Sequence, residues 1–154
     1  MTNFFQSIIA CGISGHWNGP DEIEVVSKGA YLLAIRIDRT QAIALPAGLV
    51  GPLDPGWYIY AGNARGPGGI AARVRRHFRT SKKIHWHIDR LTVAASEIMA
   101  LAVPGGSECE LVARLVGSGR FATAIEGFGS SDCRLCQSHL MRPMAVSVGE
   151  NASA

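Results

Sequence analysis

Residues 58–69 read Tyr58-Ile-Tyr60-Ala-Gly62-Asn-Ala-Arg65-Gly-Pro-Gly68-Gly69, and residues 70–79 continue Ile70-Ala-Ala-Arg73-Val-Arg75-Arg76-His77-Phe-Arg79. The alternation from Gly56 to Ala61 predicts a strand, with Tyr58 and Tyr60 on one face and Trp57, Ile59 and Ala61 on the other. The strand breaks into a glycine loop, and the loop opens a helix predicted over 70–79. Ile70, Val74 and Phe78 recur at helical spacing and form an apolar stripe, while Arg73 and His77 share a second face. Phenols on a strand, a loop that admits close backbone approach and guanidinium groups on a helix make a combination suited to a phosphodiester.

Charge points the same way. Eight of the 15 Lys and Arg residues fall between Arg65 and Arg90, where Asp89 is the single acid. The net charge of +3 is modest, so the asymmetry carries the argument for a polyanionic partner. Arg65, Arg75, Arg76, Arg79, Lys82, Lys83 and His85 are the candidate nucleic-acid contacts. His85, Trp86 and His87 follow the lysines and read as groove lining, although a tryptophan such as Trp86 is more often core.

Outward from this segment, Gly29 to Ile37 is a second predicted strand. Tyr31, Leu33, Ile35 and Ile37 lie on one face and Leu32, Ala34 and Arg36 on the other; both faces are mostly apolar, which places it centrally. Ala42 to Leu45 reads as a short strand ended by Pro46, and Gly51 to Gly56 as a turn. His85 to Leu91 suggests one or two helical turns, and Ser96 to Val103 a strand or buried segment. Ser107 caps a helix that Gly117 and Gly119 stop, with Glu110 at capping-box spacing. Residues 1–28 read as an irregular N-terminal extension that packs on a domain spanning 29–148, followed by a frayed tail at 149–154.

The totals fit one soluble domain: 154 residues, 47% hydrophobic and 18% charged, with 18 glycines that favour a loop-rich α/β fold. No apolar run approaches the roughly 20 residues of a membrane span. The N-terminus lacks a basic stretch before its apolar residues and does not read as a secretory signal. Four irregularly spaced cysteines suit a reducing, cytoplasmic setting better than a disulfide scaffold.

Phosphodiester hydrolysis requires a positioned water, charge stabilisation at the phosphate and help for the leaving oxygen. Tyr31 or Tyr60 can contact water or phosphate. Arg73 can clamp two non-bridging oxygens. Glu108, or Glu110 in its place, can hold a divalent cation, and His77 can donate to phosphate or move a proton. Cys133, Cys136 and His139 have the C-x-x-C-x-x-H spacing of three zinc ligands, with a fourth from Cys109, His85 or His87; reduced, buried thiols are the alternative. Gly66-Pro-Gly68-Gly69-Ile-Ala71 matches a dinucleotide-binding fingerprint with Asp89 downstream, but no clear strand ends at Asp89.

Gly29-Ala30-Tyr31 and Tyr60-Ala61-Gly62 resemble the two half-motifs of the GIY-YIG nuclease superfamily, each with alanine where the name has isoleucine. Arg73, His77 and Glu108 follow in the family's order. Tyr60-Ala-Gly-Asn-Ala, Gly68-Gly-Ile-Ala-Ala-Arg-Val-Arg-Arg-His, His85-Trp-His-Ile-Asp, Gly127-Phe-Gly-Ser-Ser-Asp-Cys and Ser138-His-Leu together resemble one branch of it, which occurs alone or fused to DNA-repair enzymes. The resemblance covers roughly Gly29 to Met141. It implies an α/β (α+β) fold with a small central antiparallel three-stranded sheet flanked by helices. It also implies an endonuclease dependent on Mg²⁺ or Mn²⁺ that hydrolyses phosphodiester bonds in DNA, in repair or processing, with RNA open as a substrate. The roles fall to Tyr31, Tyr60, Arg73, His77 and Glu108, the last on the metal. A non-catalytic nucleic-acid-binding module of the same fold, with or without zinc, is the alternative.

Overall fold

The computed structural model describes residues 2–44, 50–129 and 135–144. Among them the chain forms four helices and eight strands: α1 (Thr2–Ala10), β1 (Trp17–Asn18), β2 (Gly29–Ile37), β3 (Gln41–Ala44), β4 (Val50–Leu53), β5 (Gly56–Ala64), α2 (Gly69–Phe78), α3 (His87–Ala94), β6 (Glu97–Pro104), α4 (Glu108–Gly117), β7 (Phe121–Thr123) and β8 (Leu140–Pro143). The fold is mixed α+β. One antiparallel sheet of six strands runs β1-β6-β2-β5-β8-β7. The sheet has six strands rather than the expected three because short strands widen it beyond the adjacent long strands β6, β2 and β5. The ambiguous segment from Ser96 proves to be the strand β6, paired with β2 from Gly29↔Pro104 to Arg36↔Glu97.

Strand alternation divides the core in two. Tyr31, Leu33, Ile35 and Ile37 face α2 and α3, packing with Ile70, Ala71, Val74, Ile88 and Leu91. Leu32 and Ala34 face the other way with Ile59 and Ala61, against Phe4 and Ile8 of α1 and Leu111, Val112 and Leu115 of α4. With both faces covered, every residue of β2 except Arg36 is buried, the reason its sequence is apolar at successive positions. Each fully buried aliphatic side chain contributes roughly 1.5–3 kcal/mol.

Helix α1 lies where an irregular extension was expected. No acid opens it and no base closes it, so its ends carry no charge signal. Tertiary packing holds it instead: Phe4 stacks on Trp57 with ring centroids 5.2 Å apart and meets Phe121 edge-on. Strand β4 is a second departure. The segment read as a turn pairs with β3 in a separate two-stranded ladder, Ala42 opposite Pro52; a two-stranded ladder has only edges, where proline's missing N–H is tolerated. Leu45 and Pro46 lie outside the described residues, as does the tail from 145. No helix among the described residues is long and apolar enough to cross a membrane.

Candidate functional site

The register of β2 and β5 builds the site. Tyr31 stands opposite Gly62, and a Cβ at position 62 would overlap the Tyr31 phenol. Glycine there lets the ring lie across the neighbouring strand. We expect Gly62→Ala to displace that ring and cost about 1–3 kcal/mol, the usual range for overpacking; urea unfolding measures it, and an unchanged midpoint would contradict the packing described.

Helix α2 supplies the facing groups. Its start is locked by the chain's own carbonyls: Ile70 N donates to Ser27 O (3.0 Å) and Ala71 N to Val25 O (2.6 Å), while Gly69 N donates to Gly66 O. Gly69 has φ 62°, and a Cβ there would run into the Val26 carbonyl. The glycine loop therefore admits residues 25–27 rather than a phosphate, and the first amides of α2 are already engaged. This corrects the expectation that the loop backbone approaches the ligand. It also removes the dinucleotide reading, as does Asp89, which lies within α3 beside an antiparallel sheet.

Tyr31, Tyr60, Arg73, His77 and His85 converge on one cleft of about 280 Å³, completed by Asn63, Trp86, His87, Gly129 and His139. The Tyr31 hydroxyl lies 2.7 Å from His77 Nε2. Both side chains are buried, Tyr31 2% and His77 1% exposed, and His77 Nδ1 has no hydrogen-bond partner. Burial, then neighbouring Tyr60, pushes the Tyr31 phenol well above its ordinary value. Burial pushes Tyr60 up to about 12, against the lowering effect of Arg73. Both phenols are therefore neutral at physiological pH.

Burial, followed by the Lys82 ammonium, drives the His77 imidazole down to about 3 from its ordinary 6.5. The unfolded chain consequently binds this proton through the window from about 6.5 to about 3 while the folded chain does not. Stability is fully present above pH 6.5 and falls on acidification through that window, by at most about 1.4 kcal/mol per pH unit from this group. The expected result is a melting temperature that drops more steeply below pH 6.5 in the wild type than in His77→Gln. Parallel pH profiles would refute the assignment.

The Arg73 guanidinium lies over the Trp86 ring at 4.6 Å, and that of Arg76 at 4.2 Å. Asp89, fully buried, holds this wall. Its Oδ1 and Oδ2 accept from Arg76 Nη1 (2.6 Å) and Nη2 (2.8 Å), and Oδ2 also accepts from the amides of His85 and Trp86 at 2.8 Å. Burial pushes the Asp89 carboxyl up, but the hydrogen bonds from Arg76, Trp86 and His85 outweigh it and bring it to about 2. The Asp89–Trp86 amide bond is also the N-terminal lock of α3.

Two expected nucleic-acid contacts are thus spent internally. Arg76 is forked onto Asp89. Lys82 Nζ donates to the carbonyls of Arg76 (3.1 Å) and His77 (3.0 Å) and to Thr92 Oγ1 (2.7 Å), which satisfies its three protons and closes the end of α2. Burial brings this ammonium down to about 8. Arg75 is exposed yet donates to Ile23 O at 2.9 Å. Arg65 stands apart from the cleft in a shallow groove with Lys28 and Gly105. Arg79 and Lys83 are exposed.

Glu108 opens α4 behind Ser107, whose side chain accepts from the Glu110 amide. It does not line the cleft itself. Asn63, which does, donates to Glu108 Oε1 at 3.2 Å, and Glu108 Oε2 is buried without a hydrogen-bond partner. Asn63 entered the sequence reading only inside the Tyr60-Ala-Gly-Asn-Ala stretch, with no role attached to it. Strand alternation puts it on the face α4 covers, but only the folded topology shows that α4 delivers a carboxylate to it.

Cys109, Cys136 and His139 form a cluster able to hold a metal ion, with their ligand atoms all within 4.8 Å of one another. The third expected ligand, Cys133, lies outside the described residues. Of the candidates for a fourth ligand, Cys109 is in the cluster, whereas His85 and His87 line the cleft.

The fold and cleft define a mixed α+β domain with a polar, cationic recess against one face of its sheet. The family model for DUF123, a domain of unknown function, matches residues 30–152, and the chain belongs to that family. The matched span contains every residue of the cleft. No curated protein and no solved structure matches the chain.

Proposed function

We propose that the chain is a GIY-YIG-type endonuclease that hydrolyses phosphodiester bonds in DNA, acting in repair or processing within the cytoplasm. The observation that carries this reading is the 2.7 Å contact between the Tyr31 hydroxyl and His77 Nε2, in a cleft shared with Tyr60 and Arg73.

In this reading Arg73 binds two non-bridging phosphate oxygens, its guanidinium oriented by the Trp86 ring. His77 carries its proton on Nδ1 and offers the Nε2 lone pair to the Tyr31 phenol. Held by this hydrogen bond, the neutral Tyr31 oxygen accepts from the attacking water and positions it in line with the phosphorus. As the new P–O bond forms and the bond to the leaving oxygen breaks, the water's proton passes to solvent and the leaving oxygen takes one from solvent. Tyr60, neutral, donates to a phosphate oxygen. The buried, unpartnered oxygen of Glu108 fits a hard divalent cation, with Asn63 fixing the other oxygen. Glu108 would hold Mg²⁺ or Mn²⁺ there, and the ion would supply neutralisation of phosphate charge and a lowered pKa for bound water. Zinc, with its preference for sulfur and imidazole, is assigned in this reading to the Cys109, Cys136 and His139 cluster.

The test is direct. Purified chain with Mg²⁺ or Mn²⁺ is incubated with duplex, single-stranded and branched DNA, and RNA in parallel; cleavage that disappears with chelation and in Glu108→Ala is the expected result. The position of Glu108 behind Asn63 favours a second reading, a non-catalytic nucleic-acid-binding module. Salt-dependent binding without turnover, unchanged by Glu108→Ala, would establish that instead.

A further inference from the structure

We infer that Cys109, Cys136 and His139 are ligands of a zinc ion that clasps the segment before β8 to the first turn of α4 and thereby sets one wall of the cleft. This deepens the zinc assignment made above but does not depend on nuclease activity.

Three observations carry it. First, two sulfurs and one imidazole nitrogen lie within 4.8 Å of one another. In a tetrahedral zinc site, bond lengths of 2.0–2.3 Å put ligand atoms roughly 3.3–3.8 Å apart, so a closure of about 1 Å around an ion brings this cluster to coordination distance. The donors come from different elements, a helix and a loop, and packing alone has already brought them together. Second, the donor set is soft: thiolate with imidazole selects zinc over the hard cations suited to Glu108. Third, His139 is 5% exposed, yet its Nε2 has no hydrogen-bond partner. A buried polar atom left in that state is destabilising. Ligation removes that cost directly if Nε2 binds the metal; ligation through the other ring nitrogen leaves it in place.

The clasp has a consequence for the site because its ligands adjoin it on two sides. His139 itself lines the cleft beside Tyr60 and Gly129. Its backbone is tied to the sheet, with Ala61 N donating to His139 O at 3.0 Å and His139 N to Phe128 O at 2.9 Å. Cys109 follows Glu108 in the first turn of α4. One ion therefore ties the histidine wall to the turn that presents the carboxylate.

Zinc content of the full purified chain tests this, read by elemental analysis without any DNA. About one zinc per chain is expected, falling at least tenfold in Cys109→Ser and in Cys136→Ser. Cys11→Ser is the control: Cys11 donates to Ser7 O and Ser118 Oγ on α1 and after α4, and its loss leaves zinc content unchanged. Should the cysteine variants misfold, cobalt replaces zinc in the wild type. Strong sulfur-to-cobalt charge-transfer absorption with the intense visible bands of tetrahedral cobalt supports the proposal. Wild-type chain prepared with zinc that holds less than a tenth of an equivalent overturns it, as does bound cobalt without a thiolate band, or a folded Cys109→Ser that keeps a full equivalent. Because every readout is metal content or a spectrum, a chain that binds zinc and cuts nothing separates this proposal from the endonuclease reading.

Discussion

Asp89→Ala is expected to lower the unfolding free energy by about 3–5 kcal/mol, the range for removing one partner of a buried ion pair. The carboxylate is fully buried and accepts from two Arg76 nitrogens and from the amides of His85 and Trp86. Alanine leaves a half-buried guanidinium without its counter-ion and two amides at the start of α3 without an acceptor. Urea unfolding measures the loss. Adding Arg76→Met is expected to restore part of it, because the uncompensated charge goes with the arginine. A loss under 1 kcal/mol in the single variant would mean that solvent replaces the carboxylate and that the wall is not held as described. The same pair braces Trp86, on which Arg73 rests, so the damage extends to the cleft.

Tyr31→Phe carries the second large effect, on catalysis. If Tyr31 positions the attacking water, deletion of one oxygen is expected to slow cleavage about 10²-fold, the loss that a misplaced reacting group brings. DNA affinity changes little, since the phosphate clamp remains. The variant also strips the His77 ring of its hydroxyl partner, costing about 1–3 kcal/mol of stability, so turnover is compared well below the melting transition. Arg73→Ala is the contrasting case and weakens binding and turnover together. Equal turnover by wild type and Tyr31→Phe would remove the tyrosine from the mechanism and leave Arg73 and Tyr60 to carry it.

Much of this arrangement was legible along the chain. The alternation in β2 put Tyr31 on one side of its strand, and that in β5 put Tyr58 and Tyr60 together on one side of theirs, since side-chain direction in a strand follows from a fixed period; register decided that these sides coincide. The spacing of Ile70, Val74 and Phe78 placed α2, and with it Arg73 and His77 on a shared side, for the same local reason. Helix α4 followed from Ser107 and the apolar residues behind it. Less accessible were α1, which owes its position to Trp57 and Phe121, and β4, which exists only because β3 lies beside it. The basic run was read as a set of nucleic-acid contacts, yet Arg76 and Lys82 are used up internally. Charge count along a chain does not distinguish a solvated cation from one whose protons are already taken by Asp89 or by the end of a helix.

Local order, then, comes from periodicity and from residues a few positions apart: which segments are strand or helix, and which face each side chain takes. Those quantities depend on dihedral angles that neighbouring residues set. Pairings across the fold do not. That Gly62 lies under Tyr31, that Asn63 reaches Glu108, that Asp89 takes Arg76, and that Cys109 meets Cys136 and His139 follow from strand register and from how helices dock on the two faces of the sheet. Register and docking minimise buried polar groups and voids over the whole molecule at once, and no stretch of sequence contains that sum.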